Sequence, residues 1–105
     1  MQVTFVGTVK SNSASSVKLK LNNQPVDLSA NGGTWTGQQT IDVGQNLDIQ
    51  FEARGLNGTD WDLDVSAKCA KKNISVFSKN GTVGGSGKDE LEETVGIAAD
   101  PCAKK

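Results

Sequence analysis

The chain contains no histidine and no tyrosine, and among its 105 residues it has only two cysteines, two prolines and one methionine. Without histidine, Ser-His-Asp and Cys-His catalysis are excluded, and the commonest zinc ligand is missing. Cys69 and Cys102 stand too far apart for a Cys-x-x-Cys redox or zinc motif. The glycine-rich segment 84–87 lacks the Lys-Ser/Thr ending of a phosphate-binding loop. These absences predict a protein that acts by binding rather than as an enzyme.

Long apolar runs and excess charge are also missing. No apolar run approaches the roughly 20 residues that a membrane-spanning helix needs. The formal net charge is -1, so bulk charge does not argue for a nucleic-acid partner or an anionic membrane. The lysine-rich stretch 68–88 has only Phe77 as an interleaved aromatic residue, which is weak support for stacking on bases. We therefore expect no nucleic-acid partner, while membrane association stays open.

Glycine and period-two alternation are what the chain has in abundance. It carries twelve glycines, and apolar residues alternate with polar ones in short runs separated by turn signals, among them Asn80-Gly81. We count seven or eight such runs. They predict one all-β domain over residues 1–105, an antiparallel β-sandwich that is Ig-like or jelly-roll-like. The Cys-Trp-Cys order typical of Ig domains is absent, because both tryptophans precede Cys69.

Two of these runs, 47–53 and 61–69, are predicted to pair as a hairpin around the loop 55–59. A symmetrical loop places Glu52 directly opposite Asp62 and near Asp64, and like charges in that position are destabilising. Three explanations stay open: a bound Ca²⁺, which takes six to eight oxygens; a basic residue on a neighbouring strand, Lys18 or Lys20; or simple screening by water and salt. Glu52, Asp62 and Asp64 are thus the candidate metal ligands, and no other cofactor is expected.

One stretch resembles a polar binding face. Thr34, Thr36 and Gln38 alternate with Trp35 and later with Ile41. The tryptophan belongs either to the core or to the surface on this pattern, because its neighbours are threonine and glycine. We take Trp35, Thr34, Thr36 and Gln38 as candidate ligand-binding residues, with carbohydrate or protein as the ligand.

The even cysteine count predicts a disulfide between Cys69 and Cys102, because small β-rich chains with paired cysteines belong to oxidising compartments. In the chain-entropy model such a bond stabilises by about 3–4 kcal/mol. The alternative is two unrelated thiols in a cytoplasmic protein. The disulfide favours a secreted or periplasmic location.

Charge is segregated along the chain. Residues 42–64 hold six acids and one base, residues 68–88 hold five lysines, and residues 89–93 hold four acids. These blocks either form opposed patches that join copies head to tail, or lie on adjacent strands of one fold. The main hypothesis is a binding or adhesion-type module. The alternatives are a structural or assembly subunit and a small lipid- or membrane-binding β-sandwich.

The lipid-binding alternative is supported by one resemblance. Residues 40–63 are similar to the central strands of aegerolysin-type β-sandwich lipid-binding proteins, in a strand, a Gly-Thr loop and a second strand. The similarity covers about a quarter of the chain and would imply a lipid ligand. That family is rich in aromatic residues, whereas this chain has two tryptophans, three phenylalanines and no tyrosine. No residue role is therefore transferred.

Overall fold

The computed structural model describes residues 2–11, 14–69 and 72–97, which form nine β-strands and no helix. Accordingly, this part of the chain has no helix long and apolar enough to cross a membrane. The strands are β1 Gln2–Lys10, β2 Ser16–Leu21, β3 Gln24–Val26, β4 Ser29–Asn31, β5 Thr34–Asp42, β6 Asn46–Arg54, β7 Asp60–Lys68, β8 Asn73–Thr82 and β9 Lys88–Gly96.

The strands make two antiparallel sheets that pack face to face. The five-stranded sheet has the order β4-β5-β1-β7-β8, and the four-stranded sheet has the order β3-β2-β6-β9. The predicted antiparallel β-sandwich is confirmed. The first strand lies in the centre of its sheet, whereas strand A of an Ig constant-type domain lies at the edge of the ABED sheet.

The core follows directly from the period-two alternation. Inward residues of both sheets form one buried apolar cluster, in which Phe5, Leu21, Leu47, Ile49 and Val65 are completely inaccessible to solvent. Burial of each such side chain contributes about 1.5–3 kcal/mol. Their alternation partners point away from the core, so each sheet has one apolar face and one outer, largely polar face.

Two tight turns match their sequences. Asn22 and Asn23 have φ values of 50° and 65° between the paired residues Leu21 and Gln24. Two successive left-handed residues are the mark of a type I′ hairpin, which asparagine and glycine adopt with least strain. Gly32 and Gly33 do the same between β4 and β5.

The predicted hairpin of β6 with β7 is wrong, because the two strands belong to different sheets. The loop 55–59 crosses the sandwich, and it is held by Gly58 N–H donating to Val83 O at 2.8 Å and by Val83 N–H donating to Thr59 O at 2.8 Å. The inward faces of β6 and β7 meet through the core, with the rings of Phe51 and Trp61 4.7 Å apart. Alternation shows that a strand has one buried face, but it does not show which strand is the hydrogen-bonded neighbour.

The predicted turn at Asn80-Gly81 is also wrong, since both residues lie inside β8. Gly81 is opposite Trp61, and a Cβ atom on Gly81 would lie 2.6 Å from Cζ2 of the indole ring. The glycine is therefore needed for packing and not for a turn. Cys102 lies outside the described residues, so its pairing with Cys69 stays a prediction.

The two sides of the sandwich, where the edge strands of the sheets lie, differ from each other. On one side the chain crosses between the sheets after β3, so close to β5 that a Cβ atom on Gly37 would clash with the carbonyl of Asp27. Gln39 Nε2 donates to Pro25 O at 3.1 Å and closes this side. On the other side β8 and β9 run along the edges of their sheets.

Candidate functional site

The outer surface of the five-stranded sheet is covered with short polar side chains, and we call it the polar face. The strand register aligns these side chains in rows that cross the sheet. One row contains Thr34, Lys10, Asp62 and Asn80, and the next contains Thr36, Thr8, Asp64 and Ser78. A third row continues with Gln38, Val6, Ser66 and Ser75. Within these rows Val6 is the single apolar residue.

A shallow depression of about 480 Å³ lies across β1, β7 and β8 on the polar face. It is lined by Thr8, Lys10, Asp62, Leu63, Asp64, Ser78, Lys79 and Asn80. The depression therefore presents hydroxyl, carboxylate, amide and ammonium groups together, which provides hydrogen-bond donors and acceptors within one small area.

Hydrogen bonds hold the carboxylates of this face in place. Asp64 accepts from Ser66 Oγ at 2.7 Å through Oδ2 and from Ser75 Oγ at 2.8 Å through Oδ1. Asp60 accepts from Thr82 Oγ1 at 2.8 Å. Because two hydroxyl groups fix both oxygens of Asp64, this carboxylate has a defined orientation before any ligand arrives.

Three of the four predicted ligand-binding residues lie on the polar face. Thr34, Thr36 and Gln38 point outward from β5, and Gln38 Oε1 accepts from Lys68 Nζ at 3.3 Å. Trp35 points the other way, where it is half-buried and packs against the apolar core. Trp35 is thus separated from the other three residues, because successive side chains of a strand lie on opposite sides of the sheet.

The three predicted metal ligands do not come together. Asp62 and Asp64 share the polar face, whereas Glu52 lies on β6 in the other sheet and points to the opposite surface of the molecule. The described residues contain no group of three or more acidic, cysteine or histidine side chains arranged for a metal ion. The proposed repulsion between Glu52 and Asp62 does not exist in this fold.

Glu52 lies instead on a charged outer surface of the four-stranded sheet. Its cross-strand neighbours are Lys18 on β2 and Glu90 on β9, and its Oε1 accepts from Nε and Nη2 of Arg54 at 3.3 and 3.2 Å. The hydrogen bond from Arg54, together with the positive charges of Arg54, Lys18 and Lys88, holds the pKa of Glu52 below its ordinary value, although partial desolvation opposes this. Lys18 therefore lies beside Glu52 on the neighbouring strand, but because Glu52 and Asp62 are in different sheets there is no repulsion between them for it to relieve.

Several polar-face residues were not predicted as part of a site, in particular Thr8, Ser78 and Asn80. Thr8 lies in a run of period-two alternation, but nothing in that pattern linked β1 to β5 and β7. Asn80 was assigned to a turn. The pairing of distant strands, which brings these residues together, has no local signal.

No known family model matches the chain, and neither a curated protein nor a solved structure does. The class of protein is accordingly defined by the fold alone: an antiparallel β-sandwich with one polar and one charged outer face.

Proposed function

We propose that the protein is a non-catalytic binding module, and that the polar face recognises a carbohydrate. The observation that carries this proposal is the depression across β1, β7 and β8, where Thr8, Asp62, Asp64, Ser78 and Asn80 converge. Binding sites for small ligands use a few well-placed polar groups to fix orientation. Sugar hydroxyls both donate and accept hydrogen bonds, so carboxylate acceptors beside amide and ammonium donors suit them.

A protein partner fits the polar face less well. Protein interfaces take most of their binding energy from a few buried aromatic or arginine anchors. Within the described rows the polar face offers Val6, no aromatic ring and no arginine, and apart from Lys10 and Gln38 its side chains are short. A carbohydrate ligand needs no such anchor, although without ring stacking we expect binding to be weak and driven by hydrogen bonds.

The carboxylates support binding more than catalysis. Asp62 and Asp64 lie on an open sheet surface, and both oxygens of Asp64 already accept hydroxyl hydrogen bonds. A carboxyl group that acts as a general acid near neutral pH is typically held in an apolar pocket, and the open surface around Asp62 and Asp64 provides none. A Ca²⁺ ion at Asp62 and Asp64 remains part of the proposal only as an accessory to sugar binding, since Ca²⁺ takes hard oxygen ligands.

We place the module outside the cytoplasm, as a secreted or periplasmic protein. The support is the predicted Cys69–Cys102 disulfide, which requires an oxidising compartment. An Ig-like relationship is a weaker part of this proposal, because the first strand lies in the centre of its sheet.

Glycan-array binding, followed by titration calorimetry with the best glycan, tests the carbohydrate proposal. Asp62→Asn and Asn80→Ala change the depression without removing apolar side chains, and each is expected to weaken binding about tenfold, equivalent to about 1.4 kcal/mol. Gln50→Ala, on the outer surface of the four-stranded sheet, is the matched control and should leave binding unchanged. Each titration is repeated with Ca²⁺ and with a chelator.

The possible results separate the alternatives. If no glycan binds, or if Gln50→Ala weakens binding as much as Asn80→Ala does, the carbohydrate proposal is wrong. Equal affinity for the glycan with Ca²⁺ and with chelator would show that the site does not use a metal ion. Pelleting of the protein with liposomes, with no glycan binding, would favour the lipid-binding alternative instead.

A further inference from the structure

The two sheets have neighbouring free edges on one side of the sandwich. In the described part of the chain β8 pairs only with β7, and β9 pairs only with β6. The strands are ten and nine residues long. Such edges expose unpaired backbone N–H and C=O groups and are templates for pairing with another chain. Half-buried apolar residues lie along both edges, including Val76, Phe77, Leu91 and Val95.

A two-fold axis that runs parallel to the strands would bring the free edges of a second copy beside those of the first. Residues 83–87 join the end of β8 to the start of β9, so the two strands run in opposite directions. Rotation about this axis does not change the direction of a strand. It places the partner's five-stranded sheet in the plane of the first copy's four-stranded sheet, and the partner's four-stranded sheet in the plane of the five-stranded one. The partner's β8 therefore lies beside β9, antiparallel to it, and the partner's β9 lies beside β8. The same rotation reverses the roughly 30° angle between packed sheets, so the axes of the paired strands are aligned while their chain directions stay antiparallel.

Charge favours this pairing over the alternatives. On β9 the four acids Asp89, Glu90, Glu92 and Glu93 outnumber Lys88 and make the edge acidic, whereas Lys79 is the single charged residue of β8. Pairing of β9 with a second β9 would place like charges together, which is destabilising. Pairing of β8 with β9 places a basic strand against an acidic one.

The positions of the charged residues along the strand axis also fit this pairing. Trp61 is opposite Gly81 and donates to Asp89, so Gly81 and Asp89 lie at the same level. Since the rotation preserves level, the partner's Lys79 falls beside Leu91. Its inward neighbours on β9 are then Asp89 and Glu93, two residues away in either direction and within reach of a long side chain.

We infer that the protein forms a closed dimer with a second copy of itself, in which β8 of each copy pairs with β9 of the other. Two continuous nine-stranded sheets result, because each five-stranded sheet is extended by the partner's four-stranded sheet. The pairing satisfies the backbone groups of both free edges and covers the half-buried apolar residues between them. A two-fold contact of this kind closes on itself and does not propagate into fibres. The two polar faces point to opposite sides of the dimer.

Light scattering after size exclusion, from about 1 to about 300 µM protein, tests this dimer over a range that covers micromolar affinities. The native chain is expected to shift from monomer to dimer within it. Lys79→Glu places an acid between Asp89 and Glu93 of the partner and is expected to raise the dissociation constant at least about tenfold. Lys79→Arg preserves the charge and should keep the dimer. Adding Glu93→Lys to Lys79→Glu reverses both charges and should restore most of the affinity.

Circular dichroism of each variant confirms that the fold is intact, since Lys79 and Glu93 are both exposed. A native chain that stays monomeric over the whole range, at low salt as well as high, overturns the inference. So does a dimer that Lys79→Glu leaves unchanged, because its interface then lies elsewhere. A ladder of larger species instead of a dimer contradicts the closed two-fold arrangement. Loss of glycan binding has no bearing on these outcomes.

Discussion

Trp61 Nε1 donates a hydrogen bond to Asp89 Oδ2 at 2.9 Å, and this bond joins the two sheets of the sandwich. Trp61 belongs to β7 and is only 3% exposed, whereas Asp89 lies on the edge strand β9 of the other sheet. The indole N–H would otherwise be buried without an acceptor. A charged acceptor makes such a bond stronger than one between neutral groups.

Replacement of Asp89 by alanine is expected to destabilise the fold by about 1–3 kcal/mol, the cost of leaving a buried donor unsatisfied. Urea denaturation followed by tryptophan fluorescence measures the change. Glu92→Ala removes an outward carboxylate from the same strand and should change the free energy of unfolding by less than about 0.5 kcal/mol. Equal effects of the two substitutions would show that the bond to Trp61 does not stabilise the protein.

Gly81→Ala is expected to destabilise the protein by about 1–3 kcal/mol, because added atoms in a packed site force their neighbours to shift. The new Cβ atom would lie 2.6 Å from Trp61 Cζ2 and 2.9 Å from Asp89 Oδ2. Gly96→Ala is the control, since a Cβ atom there meets nothing within 4 Å. Thermal unfolding of both variants gives the comparison. A Gly81→Ala protein as stable as Gly96→Ala would contradict the close approach of the indole ring.

The ion pair of Glu52 with Arg54 should make stability depend on pH in the acidic range. The pKa of Glu52 is lowered in the folded protein, so its contribution is fully present above the unfolded value of about 4.5 and is lost as the pH falls through the lower folded value. The difference in urea midpoint between the native protein and Glu52→Gln should therefore be constant at neutral pH. It should shrink as the pH falls below about 4.5, the pKa of Glu52 in the unfolded chain. Because Glu52 is accessible to solvent, the effect is small and decreases with added salt.

Glu92→Gln makes the same chemical change on the neighbouring strand and controls for the loss of a negative charge. If the two variants follow the same pH dependence, the bond to Arg54 is not its origin. If the Glu52→Gln difference instead grows as the pH falls below 4.5, the direction of the pKa shift is wrong.

The predicted disulfide between Cys69 and Cys102 is tested on protein isolated without reductant. Alkylation before and after reduction, followed by mass spectrometry, should show two reactive thiols only after reduction. Reduction should also lower the free energy of unfolding by about 3–4 kcal/mol, because the unfolded chain gains freedom. Two thiols that react without reduction would remove the main support for a secreted or periplasmic location.

The charged outer surface of the four-stranded sheet shows what the alternation of residues can and cannot predict. Alternation correctly placed Glu52, Lys18 and Lys20 on outer faces, and it identified a basic strand as a possible neighbour of Glu52. It assigned the wrong partner strand to β6. Strands of period two are interchangeable as far as their own sequences are concerned, since any inner face can pack on any other.

The candidate site was only partly predictable for the same reason. Thr34, Thr36 and Gln38 were recognised because they alternate within one strand. Thr8 and Asn80 lie far from them in the chain and join the same surface only through the pairing of β1 with β5 and β7, and of β7 with β8.

The sequence by itself determined the class of fold, the buried faces of β6 and β7 and the turns at residues 22–23 and 32–33, because these depend on residues that are close in the chain. Only the tertiary structure decided that β6 and β7 lie in opposite sheets, which separates Glu52 from Asp62 and Asp64. It also decided that Trp61 reaches across the core to Asp89 and that Gly81 must leave room for it. Such relations depend on contacts between distant segments, and the free energy of these contacts is settled by packing of the whole core and not by any local pattern.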